Sequence, residues 1–167
     1  MNTTFKQEVI NLCQDLIRKS SYSGHEQNVA DILKTYMQKN KFDKVFTDKY
    51  GNIIGCIKGN RPGPKILFDG HIDTVPVANE LEWTYPPFAA EIHDDKIYGR
   101  GTSDMKGAVA AMCVAAKYFK EDFAHIHIPC LLLTNNSSDL DFDNLSSVTT
   151  CDEQAAQSVI EVGGQAV

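Results

Sequence analysis

A layered α/β domain, with a mixed sheet flanked by helices, is the fold that the sequence predicts. Two observations carry this expectation. Apolar residues recur at helical spacing in three segments, and short apolar or β-branched runs bounded by turn residues lie between them. Helices that alternate with strands bury their apolar faces against a sheet, which is the α/β arrangement. At 167 residues the chain is long enough for one domain with a real core.

Phe5, Val9, Leu12, Cys13, Leu16 and Ile17 define an amphipathic helix over 4–19. Ser20-Ser-Tyr-Ser-Gly-His25 reads as a loop, and Val29, Ile32, Leu33, Tyr36 and Met37 mark a second helix over about 25–39. Lys44-Val-Phe-Thr and Asn52-Ile-Ile-Gly-Cys-Ile-Lys58 read as strands joined by a turn at 49–51. Gly59-Asn-Arg-Pro-Gly-Pro64 is a strong turn, and Lys65-Ile-Leu-Phe68 is a short buried strand. A loop over 76–90 carries the only tryptophan, Trp83. Two short strands then bracket Asp94-Asp95 as a small hairpin. Val109, Met112, Cys113, Ala116 and Phe119 predict a helix over about 105–120, and the run 126–133 another strand. After Leu133 the chain becomes rich in Ser, Asn and Asp. The expected organisation is therefore a domain over 1–133 and an atypical polar tail over 134–167, with an ill-ordered loop at 135–150 and a short helix near 154–161.

Composition excludes several classes. With 43% apolar and 23% charged residues the chain is an ordinary globular sequence. A net charge of −6 opposes non-specific binding to nucleic acid or anionic membranes. No apolar run approaches the roughly 18 residues that span a bilayer. The start, Met1-Asn-Thr-Thr-Phe-Lys-Gln-Glu, has no apolar secretory core, so the expected location is cytoplasmic. Five widely spaced cysteines without a Cys-x-x-Cys pair argue for reduced, mostly buried thiols.

The chemistry concentrates in two motifs. His71-x-Asp73 follows the strand at 65–68, and Gly99-Arg-Gly-Thr-Ser-Asp104-Met-Lys-Gly107 precedes the third helix. A His at the end of a parallel strand stands where open α/β sheets bind ligands. Asp73, two residues on, shares its side if the chain stays extended, and can accept a hydrogen bond from the imidazole nitrogen turned away from a metal. Asp104 lies near a helix start, after glycines that permit a tight turn. Imidazole and carboxylate are the ligand types of a hydrolytic zinc site. The role of Arg100 stays open. His125 and His127 fall on one strand face at a spacing that suits a metal pair, although ordinary strand polarity is the plainer reading. His25 and His93 read as exposed loop residues.

The succession of strand, His-x-Asp-Thr-Val-Pro, aromatic loop, hairpin, Gly-Arg-Gly-x-x-Asp-Met-Lys-Gly and Ala-rich helix resembles the di-zinc amidohydrolases. That family includes acetylornithine deacetylase, succinyl-diaminopimelate desuccinylase, aminoacylase and several carboxy- and aminopeptidases. Ser21-Tyr-Ser-Gly-His-Glu26 resembles the family's Pro-Ser-x-Ser-Gly-x-Glu loop, and Trp83-Thr-Tyr-Pro-Pro-Phe88 its Trp-x-x-x-Pro-Phe segment. The likeness covers residues 5 to about 120, and some of its wording resembles a peptidase subgroup linked to selenium metabolism. It implies a zinc-peptidase-like catalytic domain, here incomplete. In that reading His71 is a zinc ligand, Asp73 is the catalytic residue that orients it, and Asp104 is the carboxylate bridging two Zn²⁺ ions, for which Co²⁺ can substitute. The implied activity is hydrolysis of amide bonds in N-acyl amino acids or short peptides. These small molecules are the expected partners, with no nucleic acid or membrane, and self-association stays open.

The family next presents Thr-x-Asp-Glu-Glu, whose first Glu is the general base and whose second binds zinc. Two registers compete, and a tail that aligns with neither stays open as a third reading. In one, Thr134-Asn-Asn-Ser-Ser138 places Ser137 and Ser138 there; in the other, Val148-Thr-Thr-Cys-Asp-Glu-Gln154 makes Glu153 the catalytic base and puts Gln154 at the ligand position. Serine is no proton acceptor near neutral pH, and Gln brings no charge to a metal. The alternative expectation is therefore a truncated, catalytically inactive relative that retains weak metal binding or an interaction role.

Overall fold

The computed structural model describes residues 3–48, 50–58, 67–122 and 130–134. Their order is α1 (Thr3–Ile17), α2 (Gln27–Lys39), β1 (Lys44–Thr47), β2 (Ile53–Cys56), β3 (Leu67–His71), β4 (Glu91–His93), β5 (Lys96–Tyr98), α3 (Gly107–Asp122) and β6 (Cys130–Thr134). Four strands form one mixed sheet in the order β1-β2-β6-β3, and β4 and β5 pair separately. β1–β2 and β2–β6 are antiparallel, whereas β3 runs parallel to β6. The layered α/β expectation holds, with helix ends displaced by a few residues.

The register explains how helices settle on this sheet. Gly55 stands opposite Leu131, and Leu131 opposite Phe68, so positions 55, 131, 68 and 70 share one face. A Cβ on Gly55 would meet Met37 Sδ at 2.5 Å, and one on Gly70 would meet Met112 Cε at 2.8 Å. Both glycines thus bring the sheet against helices, α2 over β2 and α3 over β3. Leu16, Ile17, Val29, Leu33, Met37, Ile53, Ile72 and Val109 are all completely buried in the common core. The turn between β1 and β2 is organised by Asp48, whose Oδ1 accepts the backbone N–H groups of Tyr50 and Asn52 at 2.9 Å each.

Two details differ from the sequence reading. His93 is a strand residue, not a loop one. It stacks on Tyr85 at 3.9 Å between ring centroids and meets Glu91 Oε2 at 2.7 Å. His25 is exposed, as expected. Cys56 is disulfide-bonded, which the expectation of reduced thiols missed because linear spacing does not reveal which cysteines a fold brings together. The turn at 59–64, His125, His127 and the tail after 134 lie outside the described residues. Among the described residues no helix is long and apolar enough to cross a membrane.

Cys13 and Cys113 are buried free thiols. Burial pushes Cys13 up to about 11, and it pushes the wholly buried Cys113 further still. Thiolate, the reactive form, is therefore scarce at both positions. Ellman's reagent at pH 8 should leave both unmodified in the native chain and titrate both in guanidinium. Rapid native labelling of either would show that the packing of α1 against α3 is wrong.

Candidate metal centre

β3 ends at His71, the last residue of its parallel pairing with β6, so His71 stands at the carboxyl edge of the sheet. The chain then leaves the sheet through Asp73 and Thr74. His71 Nδ1 lies 3.0 Å from Asp73 Oδ1 and 3.2 Å from the Asp73 carbonyl oxygen. The opposite ring nitrogen, Nε2, lies 2.9 Å from Asp104 Oδ1. The two motifs are thus brought together as the sequence led one to expect, with the imidazole between two carboxylates. Burial pushes the His71 pKa down, but the Asp104 hydrogen bond and the charges of Asp73 and Asp104 outweigh it, so the net shift is upward. Asp73 is largely buried, whereas the Asp104 side chain is 87% exposed. The inner carboxylate is placed to orient the ring, and the outer one is free to meet a ligand.

Asp104 reaches this position through an irregular turn over 102–106. Gly101 enters it in the left-handed region, with φ +81°, and Asp104 and Met105 have non-helical backbone angles. Lys106 closes the turn from below. It is completely buried, and its Nζ donates to the carbonyl oxygens of Leu16 at 3.0 Å and Lys19 at 2.7 Å. Burial pushes its amine down to about 8, while the carbonyls at the end of α1 supply acceptors where the helix dipole is negative. Sequence reading missed Lys106, because a lysine after a Gly-rich loop ordinarily signals solvent.

The loop over 76–88 packs on the same region. Arg100 Nη2 reaches the Pro76 carbonyl oxygen at 3.4 Å, the Arg100 backbone N–H donates to Pro87 O at 2.7 Å, and the guanidinium lies 4.9 Å from the Trp83 ring centroid. Arg100 therefore ties the Gly-rich loop to the tryptophan loop. A cavity of about 300 Å³ opens here, lined by His71, Asp73, Thr74, Arg100 and Asp104 among others. On β3, Asp69 Oδ1 is buried without a hydrogen-bond partner among the described residues, and burial raises this carboxyl's pKa.

The donor chemistry, one imidazole nitrogen beside one carboxylate oxygen, fits a divalent cation of the zinc type. The donor number does not complete a set. Among the described residues no three His, Cys, Asp or Glu side chains gather as a metal cage. Glu153, Gln154, Ser137 and Ser138, the candidates for the Glu-Glu position, lie outside the described residues.

Imidazole and carboxylate facing each other at the carboxyl edge of a mixed α/β sheet define a class, a domain with the makings of a metal centre. Comparison with known proteins gives the family relationship. Residues 67–133 match the profile of peptidase family M20/M25/M40. The chain overlays the M20 family metallo-carboxypeptidase Sso-CP2 from Sulfolobus solfataricus with a TM-score of 0.68 and 28% identity, over 77% of this chain and 30% of that one. It overlays the dipeptidase Dug1p from Saccharomyces cerevisiae with a TM-score of 0.72 and 17% identity, over 87% of this chain and 36% of that one. It also overlays the YXEP protein of Bacillus subtilis, described as a dinuclear metal-binding peptidase of the M20 family, with a TM-score of 0.56 and 17% identity, over 80% and 35% of the two chains. The last two likenesses concern the fold alone. Residues 67–133 thus resemble the M20/M25/M40 peptidases in sequence, the chain shares the fold of these solved structures, and it spans about a third of their length.

Gly101 tests the geometry of the turn. An added Cβ would meet Thr74 Cγ2 at 2.6 Å, on a residue whose φ already disfavours any side chain. Gly101→Ala should cost at least the ~1–2 kcal/mol of a forced left-handed residue, read as a lower urea midpoint. An unchanged midpoint would mean that the turn is not built this way.

Proposed function

We propose that the chain is the metal-binding N-terminal part of a metal-dependent hydrolase that cleaves amide bonds in short peptides or N-acyl amino acids. The observation that carries this reading is the constellation Asp73–His71–Asp104, with hydrogen-bond distances of 3.0 and 2.9 Å, at the carboxyl edge of β3. His71 and Asp104 would hold the metal, zinc or in its place cobalt. Asp73 holds the His71 ring so that Nε2 faces the metal. A divalent metal would supply Lewis-acid polarisation of the scissile carbonyl and lower the pKa of a water molecule. Glu153 serves as general base in the register that we favour, taking the proton from water and returning it to the leaving nitrogen. The likeness to the M20 peptidases supports the reaction class, and the dinuclear metal binding of the Bacillus subtilis peptidase supports two metals.

A second reading is favoured by the donor count. The described residues offer two metal-facing donors where structural zinc takes four. In this reading the chain by itself is a catalytically silent relative that binds a metal weakly or serves in association, including with itself.

Calorimetry with zinc, on the chain as it stands, separates the readings from each other and from error. Weak binding lost in His71→Ala is the expected result. Tight binding of two zinc ions would show that the ligand set is complete. With zinc or cobalt and a panel of dipeptides and N-acyl amino acids, turnover by this chain alone should be negligible. If turnover is seen, Glu153→Gln should lower it by about 10²–10⁴, the worth of a general base, while Ser137→Ala leaves it intact. Activity that survives Glu153→Gln would place the base elsewhere.

A further inference from the structure

The segment over 18–26 joins α1 to α2. It is bolted to the strand that carries the candidate ligand. Ser21, completely buried, donates through Oγ to the Ile72 carbonyl oxygen at 2.7 Å, and its own carbonyl accepts the Thr74 N–H at 2.7 Å. Tyr22 forms an isolated parallel bridge with Thr74 and packs edge-on against Phe88. Inside the loop, His25 N–H donates to Tyr22 O at 2.7 Å, and Gly24, at φ +85°, donates its N–H to Glu26 Oε1 at 2.6 Å. These bonds fix the backbone on either side of Ser23. Its hydroxyl is thus held over the end of β3, where Ser23 Oγ donates to Asp73 Oδ2 at 2.6 Å.

We infer that Ser23 is a positioning residue for the metal centre, acting on His71 through Asp73. This rests on the reading above that His71 binds a metal. The Nδ1–H of His71 has two acceptors in reach, the Asp73 carboxylate at 3.0 Å and the neutral Asp73 carbonyl at 3.2 Å. The Ser23 hydroxyl holds Oδ2, and a carboxylate pinned at one oxygen cannot rotate the other away. The ring N–H therefore stays on the charged acceptor. A charged partner makes the opposite nitrogen, Nε2, a stronger donor to a metal than a neutral carbonyl does. Without the hydroxyl, the carboxylate of Asp73 gains freedom and the imidazole shares its proton with the backbone. The effect passes through one carboxylate, so it belongs at the lower end of the roughly 10–100-fold loss that outer partners of metal ligands command.

The test uses the whole chain and zinc alone as the probe. Ser23→Ala should weaken zinc binding about tenfold, without lowering the thermal midpoint of the metal-free protein, because the side chain is exposed. Ser23→Thr, which keeps the hydroxyl, should restore the affinity. In an Asp73→Ala background the Ser23→Ala change should have no further effect, since the carboxylate it acts on is gone. Unchanged zinc affinity in Ser23→Ala overturns the inference, and so does an equal loss in the Asp73→Ala background. If His71→Ala binds zinc as the parent does, the metal reading itself has failed and this inference falls with it. A loss in His71→Ala beside an unaffected Ser23→Ala refutes only the role of Ser23.

Discussion

The end of β3 must be held still, and one pair of hydrogen bonds does most of this. Ser21 clasps the strand exit from both sides, its hydroxyl on Ile72 O and its carbonyl on Thr74 N–H. Residues beyond the last strand pair ordinarily fray, because no ladder continues to satisfy their backbone groups. Here the clasp extends the order of the sheet by three residues, through the stretch that carries Asp73. Ser21 and Ile72 are both completely buried, so these bonds are shielded from competing water and breaking one leaves an unsatisfied group, at about 1–3 kcal/mol. His71 owes its fixed direction to the sheet on one side and to this clasp on the other.

The second half of the centre is held differently. Asp104 stands on an irregular turn closed by the bonds Lys106 N–H to Gly101 O and Gly107 N–H to Thr102 O, and its side chain is mostly in solvent. Two anchors limit that turn. Above, Gly101 lets the backbone reverse against Thr74, so the turn touches the same residue that Ser21 clasps. Below, Lys106 runs back through the core to the last carbonyls of α1. A buried ammonium is costly unless fully hydrogen-bonded, and the end of a helix offers free carbonyls in the right sense. α1 thus serves as the floor of the turn as well as a wall of the core.

The parts of this arrangement that the sequence reveals are those whose chemistry is local. His71 and Asp73 are two residues apart on an extended chain, so their contact follows from strand geometry. Asp104 is recognisable because glycines and a helix start surround it. α1, α2 and α3 show because apolar periodicity survives any detail of packing. What stays hidden are pairings across long separations made by common residues. A serine at 23 looks like any loop serine, and only the fold brings it to a carboxylate at 73. Lys106 looks like surface charge, yet it is completely buried. Cys56 gives no sign of its disulfide, since cysteine connectivity cannot be deduced from sequence spacing alone.

These separations bear on how metal binding and folding are coupled. The two candidate ligands lie on different elements, one on β3 and one on the turn before α3; Ser23, bonded to Asp73, ties in the α1–α2 loop, and Lys106, bonded to Leu16 O, ties the turn to α1. A cation held by His71 and Asp104 would join the two motifs directly, in a geometry the unfolded chain does not keep. Such a ligand stabilises the native state by RT ln(1 + [L]/Kd), an amount that grows with affinity. The hydrogen-bonded supports already bring the donors within 2.9 Å, so little ordering remains to oppose binding. Preorganisation cannot replace missing donors, however. A two-donor site on a rigid frame orients a cation well and holds it weakly until further ligands close the shell.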